Sequence, residues 1–115
     1  MRRGNKRKFG RETDQRKALY KSLATALIDH GKIKTTQAKA KSLSSFVDRL
    51  VSKASSNDLN SRRLILKSIG EKATRKLMSD IGPRFKDKKG GYTRIIRLGQ
   101  RKSDGSPMAL IEFTA

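Results

Sequence analysis

The sequence predicts an α+β domain in which about four helices pack on a small sheet, preceded by a basic arm. Apolar residues recur every three or four positions from residue 13 to residue 81, which predicts helices. Beyond Gly90 the residues are β-prone, with turn residues between two short runs. Residues 1–12 hold six basic residues and no apolar period. We therefore expect a flexible basic arm over residues 1–12 and a single globular domain over residues 13–115.

Composition narrows the classes of protein to consider. The chain has 115 residues, a net charge of +19 and no cysteine. So large a positive charge favours a polyanionic partner, with nucleic acid as the first candidate. Without cysteine there are no disulfides or thiolate metal ligands. No apolar stretch approaches the ~18 residues of a membrane span, so we expect no membrane partner.

The first helix is expected to begin at Thr13 or Asp14, both of which can cap it, and to end at Gly31. Lys17 and Lys21 lie one turn apart on the side opposite its apolar face. They can be interpreted either as ordinary solvent-exposed lysines or as phosphate contacts. Four residues form its predicted apolar face: Leu19, Leu23, Ala26 and Leu27.

A short extended segment, residues 32–34, separates this helix from the second. Thr35 or Thr36 can cap the second helix, which should end near residue 55. Apolar residues repeat along it at alternating spacings of three and four, which predicts a core-facing stripe: Ala40, Leu43, Val47, Leu50 and Ala54.

Two further helices are expected before the composition changes. The third, Leu59 to Ile69, is capped from residues 55–58 and closed by Gly70, and it carries apolar residues on more than one side. We therefore expect it to lie between layers. The fourth contains Ala73, Leu77 and Ile81, and Gly82-Pro83 is expected to terminate it because proline cannot continue the helical hydrogen bonds.

A β-hairpin is expected at the end of the sequence. Tyr92 to Leu98 and Met108 to Phe113 are its strands, and the loop between them contains Arg101 and Lys102. Ile33 can add a third strand. The residues of the second strand predicted to face the helices are Ala109, Ile111 and Phe113.

Nothing in the sequence indicates catalysis. His30 is the only histidine, and its place just before Gly31 favours an interaction with the helix terminus. The carboxylates are scattered, and Gly90-Gly91 is not followed by the Lys-Ser/Thr of a phosphate loop. We expect no enzyme activity, metal, cofactor or small-molecule substrate.

Binding features are the positive signal. A second basic run extends from Arg84 to Lys102 and contains two aromatic residues, Phe85 and Tyr92. Cations neutralise phosphates and rings can stack on unpaired bases, so the mixture favours folded RNA over a bare duplex. We interpret Phe85 as a packing residue. Phe9, alone in a charged arm, is interpreted as inserting into RNA.

Six segments, in order, carry a resemblance to a known family: RKFGR (7–11), QRKAL (15–19), LIDH (27–30), KIKTTQAKAK (32–41), GGYTRI (90–95) and PMALIE (107–112). Together they resemble bacterial large ribosomal subunit protein seventeen, nearly from Met1 to Ala115. The sequence departs from the family at Gln100 and Lys102, which replace a Pro-Arg-Arg loop. Lysine does not reproduce arginine's planar two-pronged contact.

The resemblance implies an α+β protein without catalytic activity. It implies binding to large-subunit ribosomal RNA near the exit of the nascent-peptide tunnel, beside ribosomal protein number thirty-two. It also implies that the following residues contact RNA: Arg7, Lys8, Arg11, Arg16, Lys17, Gly90, Gly91, Tyr92 and Arg94. Charge, or an isolated ring in the case of Phe9, adds further candidates: Arg2, Arg3, Lys6, Phe9, Lys21, Lys88, Lys89, Arg97, Arg101 and Lys102.

Other classes of protein share parts of this pattern. A nucleoid-type DNA-binding protein would have similar charge, but no helix-turn-helix signature or dimer seam is evident. A membrane-active protein would need an apolar face that the arm lacks. A mitochondrial transit peptide would need an amphipathic helix, which Gly4 and Gly10 interrupt.

Overall fold

The computed structural model describes residues 13–56 and 58–114. The predicted α+β class is confirmed: helical segments pack against one face of a three-stranded antiparallel sheet. The elements are α1 (Thr13–His30), β1 (Lys32–Thr36), α2 (Gln37–Ser56), α3 (Leu59–Ile69), α4 (Glu71–Lys76), a π-helical turn (Leu77–Ile81), α5 (Gly82–Arg84), β2 (Thr93–Gln100) and β3 (Pro107–Phe113).

Local signals set the helix ends where the sequence predicted them. Gly31 follows the last residue of α1 at φ +82°, a conformation that glycine adopts without the cost of a Cβ clash. The Thr36 hydroxyl accepts a hydrogen bond from Lys39 N (3.3 Å) at the start of α2. The Asp58 carboxylate accepts one from Ser61 N (2.7 Å) and caps α3. Both predicted caps are confirmed.

The fourth helical run does not stop at Gly82-Pro83, so that prediction is wrong. The Gly82 N–H bonds to the Leu77 carbonyl, five residues back, in a π-helical turn. Pro83 then lies in the first turn of α5, where a missing N–H costs little. The run ends only at Phe85.

The hydrophobic core lies between α2 and the inner face of the sheet. α2 contacts all three strands as well as α3. Its predicted stripe is completely buried, joined by Val51: Ala40, Leu43, Val47, Leu50 and Ala54. The predicted inner residues of β3 are also buried, as expected: Ala109, Ile111 and Phe113.

The faces of α1 and α3 differ from the prediction. α1 buries Ala24, Leu27 and Ile28, so its inward face is rotated from the predicted one. α3 does not lie between layers: Leu59 is 62 % exposed, and Leu64 and Leu66 are exposed as well. Only three of its residues are buried: Ser61, Ile65 and Ile69. The apolar residues on its second side therefore remain at the surface.

The sheet order is β1-β3-β2, so the C-terminal strand of the hairpin lies in the middle. The predicted hairpin and the third strand at Ile33 are both confirmed. The register shifts between Arg97, which pairs with Ala109, and Gly99, which pairs with Met108. Leu98 is thus an extra residue in a β-bulge, which ends the clean alternation of β2.

Candidate nucleic-acid interface

The loop of residues 85–92, which joins α5 to β2, is anchored by buried aromatic rings. Phe85 is 1 % exposed, and its ring packs edge-on against Tyr92 at a centroid distance of 5.2 Å. Phe113 of β3 completes the cluster, 6.1 Å from Phe85. Such contacts fix both ends of the loop to the core. The packing role predicted for Phe85 is confirmed.

Hydrogen bonds fix the middle of the same loop. The Tyr92 hydroxyl donates to the Lys88 carbonyl (3.1 Å), and Lys88 Nζ donates to Thr114 Oγ1 (3.1 Å). Gly90 and Gly91 both have positive φ, at +107° and +63°, where a side chain would be strained. The lysines of this loop are therefore carried on a well-defined backbone.

Tyr92 itself is 5 % exposed. Its ring packs against Phe85 and its hydroxyl is bonded to the loop, so little of the ring is open to a stacking base. The side chain of Tyr92 therefore positions the loop, and its contact with RNA stays a prediction.

A cleft of about 410 Å³ separates this loop from α2, and we call it the loop cleft. Three cationic side chains line it: Arg49, Lys88 and Lys89. The remaining lining residues are small, polar or aromatic: Asp48, Ser52, Ser55, Gly90 and Tyr92. Converging cations with hydroxyl donors form a surface suited to phosphate oxygens.

Asp48 is the one carboxylate among the residues that line the loop cleft. Burial raises the pKa of its carboxyl group, whereas a hydrogen bond from Thr93 Oγ1 (3.3 Å) acts in the opposite direction. Thr93 is also linked to Ser44, with 2.8 Å between the hydroxyl oxygens. The carboxylate is thus engaged with β2 and helps to join α2 to the sheet.

Arg49 was not among the residues predicted from the sequence. It lies on the exposed side of α2, near the buried stripe residues Val47 and Leu50. Arg49 lines the loop cleft because the loop of residues 85–92 lies next to α2, and this tertiary contact cannot be read from the residues around Arg49. In the sequence it stands between Asp48 and Leu50, and no local signal distinguishes it from other exposed arginines.

Arg94 lies on the outer face of the sheet. Its Nε and Nη2 atoms are both 2.6 Å from Glu112 Oε2 on the neighbouring strand. The Arg94 side chain remains 60 % exposed, while that of Glu112 is 17 % exposed. The predicted RNA contact of Arg94 would therefore be made by a guanidinium that is already oriented by a carboxylate.

The hairpin loop, residues 101–106, also carries predicted residues. Arg101 Nε lies 3.0 Å from Asp104 Oδ1, and this hydrogen bond, helped by one from Ser106 N, lowers the pKa of Asp104 to about 2. Arg101 is thus used to fold the loop. Lys102 is exposed at its tip, and Arg97 is exposed beside the bulge.

The basic residues of α1 lie in different surroundings. Lys21 Nζ is placed against Gly70, at the C-terminal end of α3, where a cation interacts favourably with the helix dipole. Lys17 lines a second cleft between α1, α2 and α3. Arg16 is half-buried. α1 and the loop of residues 85–92 therefore contribute to separate clefts on α2.

The arm residues predicted to contact RNA lie outside the described residues: Arg2, Arg3, Lys6, Arg7, Lys8, Phe9 and Arg11. Residues 1–12 carry six of the 29 basic residues and one of the ten acidic ones, so 23 basic residues face nine acidic ones in the rest of the chain. Residues 13–115 are thus strongly basic without the arm.

Within residues 13–56 and 58–114, no group of three or more potential metal-ligating side chains is found. No helix in those ranges is long and apolar enough to cross a bilayer. His30 is exposed at the end of α1. A small basic α+β domain with cation-lined clefts is typical of the protein components of ribonucleoprotein particles.

Comparison with known proteins identifies the ribonucleoprotein particle to which this chain belongs. The model of the family "Ribosomal protein L17" matches residues 19–114, and the chain belongs to this family. It is 48 % identical over 110 residues to large ribosomal subunit protein bL17 of Campylobacter jejuni, covering 95 % of this chain and 94 % of that one.

Two further relatives carry the same name. The protein of Thermomicrobium roseum is 50 % identical over 110 residues, covering 95 % and 94 % of the two chains. That of Thermus thermophilus is 46 % identical over 109 residues, covering 93 % and 92 %. The chain is thus a large-subunit ribosomal protein and not an enzyme, and the large subunit of bacteria is a cytoplasmic particle. The resemblance seen in the sequence is confirmed.

Proposed function

We propose that this protein binds large-subunit rRNA and stabilises its fold by neutralising phosphates where RNA segments converge. The observation that carries the proposal is the loop cleft, where Arg49, Lys88 and Lys89 surround one cavity. Crowded phosphates repel one another, and fixed cations between them offset that repulsion while the domain sets their position.

The arm extends the same mechanism. Its six basic residues, with Phe9 among them, would follow the RNA backbone away from the domain. Deleting residues 1–11 should reduce the magnitude of the slope of log K against log salt by roughly four to five, at ~0.7–0.9 per phosphate contact. Filter binding of the full chain and the deletion variant to deproteinised large-subunit rRNA measures this slope. An unchanged slope would refute the role of the arm.

The location near the tunnel exit and the neighbour, large-subunit protein thirty-two, are proposed from the resemblance to the family. Since the chain has no cysteine, a single cysteine introduced at one position can be labelled uniquely. We would attach an iron–EDTA cleavage reagent at Lys89→Cys, reconstitute large subunits, and map the cut rRNA positions.

Cleavage at rRNA segments that surround the tunnel exit is the expected result. Lys72→Cys, on the exposed side of α4, serves as the matched control and should give weaker cuts at different positions. Cuts from Lys89→Cys that lie far from the exit would contradict the proposed location. Cross-linking of the same labelled subunits identifies the protein neighbours.

The nucleoid-type DNA-binding function remains the alternative to test. Duplex DNA should compete weakly against folded rRNA fragments, because the loop of residues 85–92 lies beside α2 in the loop cleft and keeps that helix from entering a major groove. Equal competition by duplex DNA would favour the alternative.

A further inference from the structure

A second cleft lies between α1, α2 and α3, and we call it the helical cavity. Its volume is about 300 Å³, within the range of pockets that hold small organic ligands. Five residues line it: Lys17, Tyr20, Phe46, Lys67 and Ser68. Two are cationic, two are aromatic, and none is acidic. This composition suits a ligand that has both a flat ring and a negative charge.

The aromatic pair forms one wall of the cavity. The Tyr20 and Phe46 rings are stacked, with centroids 5.4 Å apart and an interplanar angle of 18°. Both side chains are partly exposed, unlike the core residues Leu43 and Val47 of the same helix α2. The pair therefore presents aromatic surface toward solvent at the cavity wall.

The Tyr20 hydroxyl is the second feature. Its oxygen is buried and has no hydrogen-bond partner among the described residues. Buried hydroxyl groups in proteins nearly always have a partner. The hydroxyl oxygen is closed to solvent, so it is the ring of Tyr20, and not its hydroxyl, that is available to a ligand in the cavity.

The two lysines come from different helices. Lys17 belongs to the first turns of α1, and Lys67 belongs to the last turn of α3. Both are exposed, and they converge on the same cavity beside Ser68. Two ammonium groups without a lining carboxylate give the rim a positive potential that attracts a phosphate.

We propose that the helical cavity receives one unstacked nucleotide of the bound rRNA. Its base packs against the Tyr20–Phe46 pair, and its phosphate lies between Lys17 and Lys67. The inference rests on the proposed rRNA binding and extends it from phosphate neutralisation to recognition of a single extruded base. Stacking on an aromatic ring tolerates any base, so the cavity selects RNA that has an unpaired nucleotide at this position.

The test uses the full chain bound to deproteinised large-subunit rRNA. Ultraviolet irradiation followed by mass spectrometry should find a nucleotide adduct on the peptide that contains Tyr20. Tyr20→Leu should abolish this adduct and weaken rRNA binding by about tenfold, the loss typical of one stacked base. Lys67→Gln should reduce the magnitude of the salt slope by ~0.7–0.9.

Lys72→Gln is the matched control, because Lys72 is an exposed lysine of α4 that does not line the cavity. It should leave the adduct intact and change the slope less than Lys67→Gln does. Thermal denaturation checks that each variant folds. If Tyr20→Leu does not fold, the adduct on the wild-type chain and the salt slope of Lys67→Gln still test the proposal. The Lys67 side chain is exposed, so its substitution should not disturb packing.

The outcomes separate the two proposals. If the wild-type chain binds rRNA but gives no adduct at Tyr20, and Lys67→Gln behaves like Lys72→Gln, the helical cavity inference is wrong and rRNA binding stands. A cross-link from Tyr20 to a neighbouring protein in intact subunits, without a nucleotide adduct, also overturns it. If the wild-type chain shows no preference for rRNA over duplex DNA, both proposals fail.

Discussion

The two basic loops that flank β2 are held in place by different means. The loop of residues 85–92 is anchored by the buried rings of Phe85 and Tyr92, so its conformation does not depend on ion pairs made by its lysines. The hairpin loop of residues 101–106 is held at the surface, where Arg101 pairs with Asp104. One loop is thus stabilised by burial of apolar surface, while the other is stabilised by an ion pair between its own arginine and its own carboxylate.

This difference shows why net charge overestimates the number of cations offered to RNA. Among the described residues, four arginines form ion pairs with carboxylates: Arg75, Arg84, Arg94 and Arg101. Surface pairs of this kind add little to stability, but they orient the guanidinium groups and partly neutralise them. We therefore expect the loop cleft to contribute more to RNA affinity than the hairpin loop.

The largest expected effect comes from removing the anchor of the first loop. Phe85→Ala deletes a fully buried ring that contacts Tyr92 and Phe113, and should lower the free energy of unfolding by about 3–5 kcal/mol. Urea denaturation measures the loss. Arg101→Gln, in the hairpin loop, should leave the unfolding midpoint almost unchanged. A loss below about 1 kcal/mol for Phe85→Ala would contradict anchoring by the ring.

A smaller effect is expected from the hydroxyl group of Tyr92. Tyr92→Phe keeps the ring but removes the hydrogen bond to the Lys88 carbonyl, which should cost about 0.5–1.5 kcal/mol. Amide hydrogen exchange in residues 86–91 should accelerate, while exchange in α2 stays slow. Unchanged exchange in the loop would show that the hydroxyl does not fix it.

The two loops should also differ in RNA binding. Lys89→Gln should reduce the magnitude of the rRNA salt slope by ~0.7–0.9, because one phosphate contact in the loop cleft is lost. Arg101→Gln should reduce it by less, since Asp104 already engages that guanidinium. Filter binding over a range of salt concentrations compares the two variants. A larger effect at Arg101 would reverse the ranking of the loops.

The smallest effect concerns pH. The pKa of Asp104 is lowered to about 2, mainly by its hydrogen bond with Arg101. A carboxyl group with a lowered folded-state pKa stabilises the fold above its unfolded pKa of ~3.9, and this contribution disappears as the pH falls through about 2. NMR titration of the carboxyl carbon should give a midpoint near 2 in the wild type. In Arg101→Gln the midpoint should rise toward 3.8, and an unchanged midpoint would exclude the ion pair as its cause.

The sequence predicted those features that depend on neighbouring residues. Gly31, Thr36 and Asp58 determine helix ends through their own backbone or side-chain bonds, and all three were placed correctly. The stripe of α2 was predictable because one regular helix faces one core. The continuation of the helix through Gly82-Pro83 was not predictable, because a π-helical turn depends on tertiary packing. Gly82 lies close against α2, where a Cβ at its position would approach the Ala54 carbonyl to 3.2 Å.

The sites were predictable only in part. Charge density indicated Lys88, Lys89 and Lys17, which the structure places in two clefts. Arg49 and Lys67 complete those clefts from other helices, and no local pattern distinguishes them from ordinary exposed residues. The burial of the Tyr92 side chain is likewise set by distant elements.

The middle position of β3 has a consequence for biosynthesis. β1 and β2 pair only with β3, which is the last of the three strands to be synthesised. A nascent chain that has not yet reached residue 107 can form helices, but its two earlier strands have no common partner. The sheet can therefore close only late in translation, and a stalled chain ending before Pro107 should expose the apolar side of α2 to chaperones.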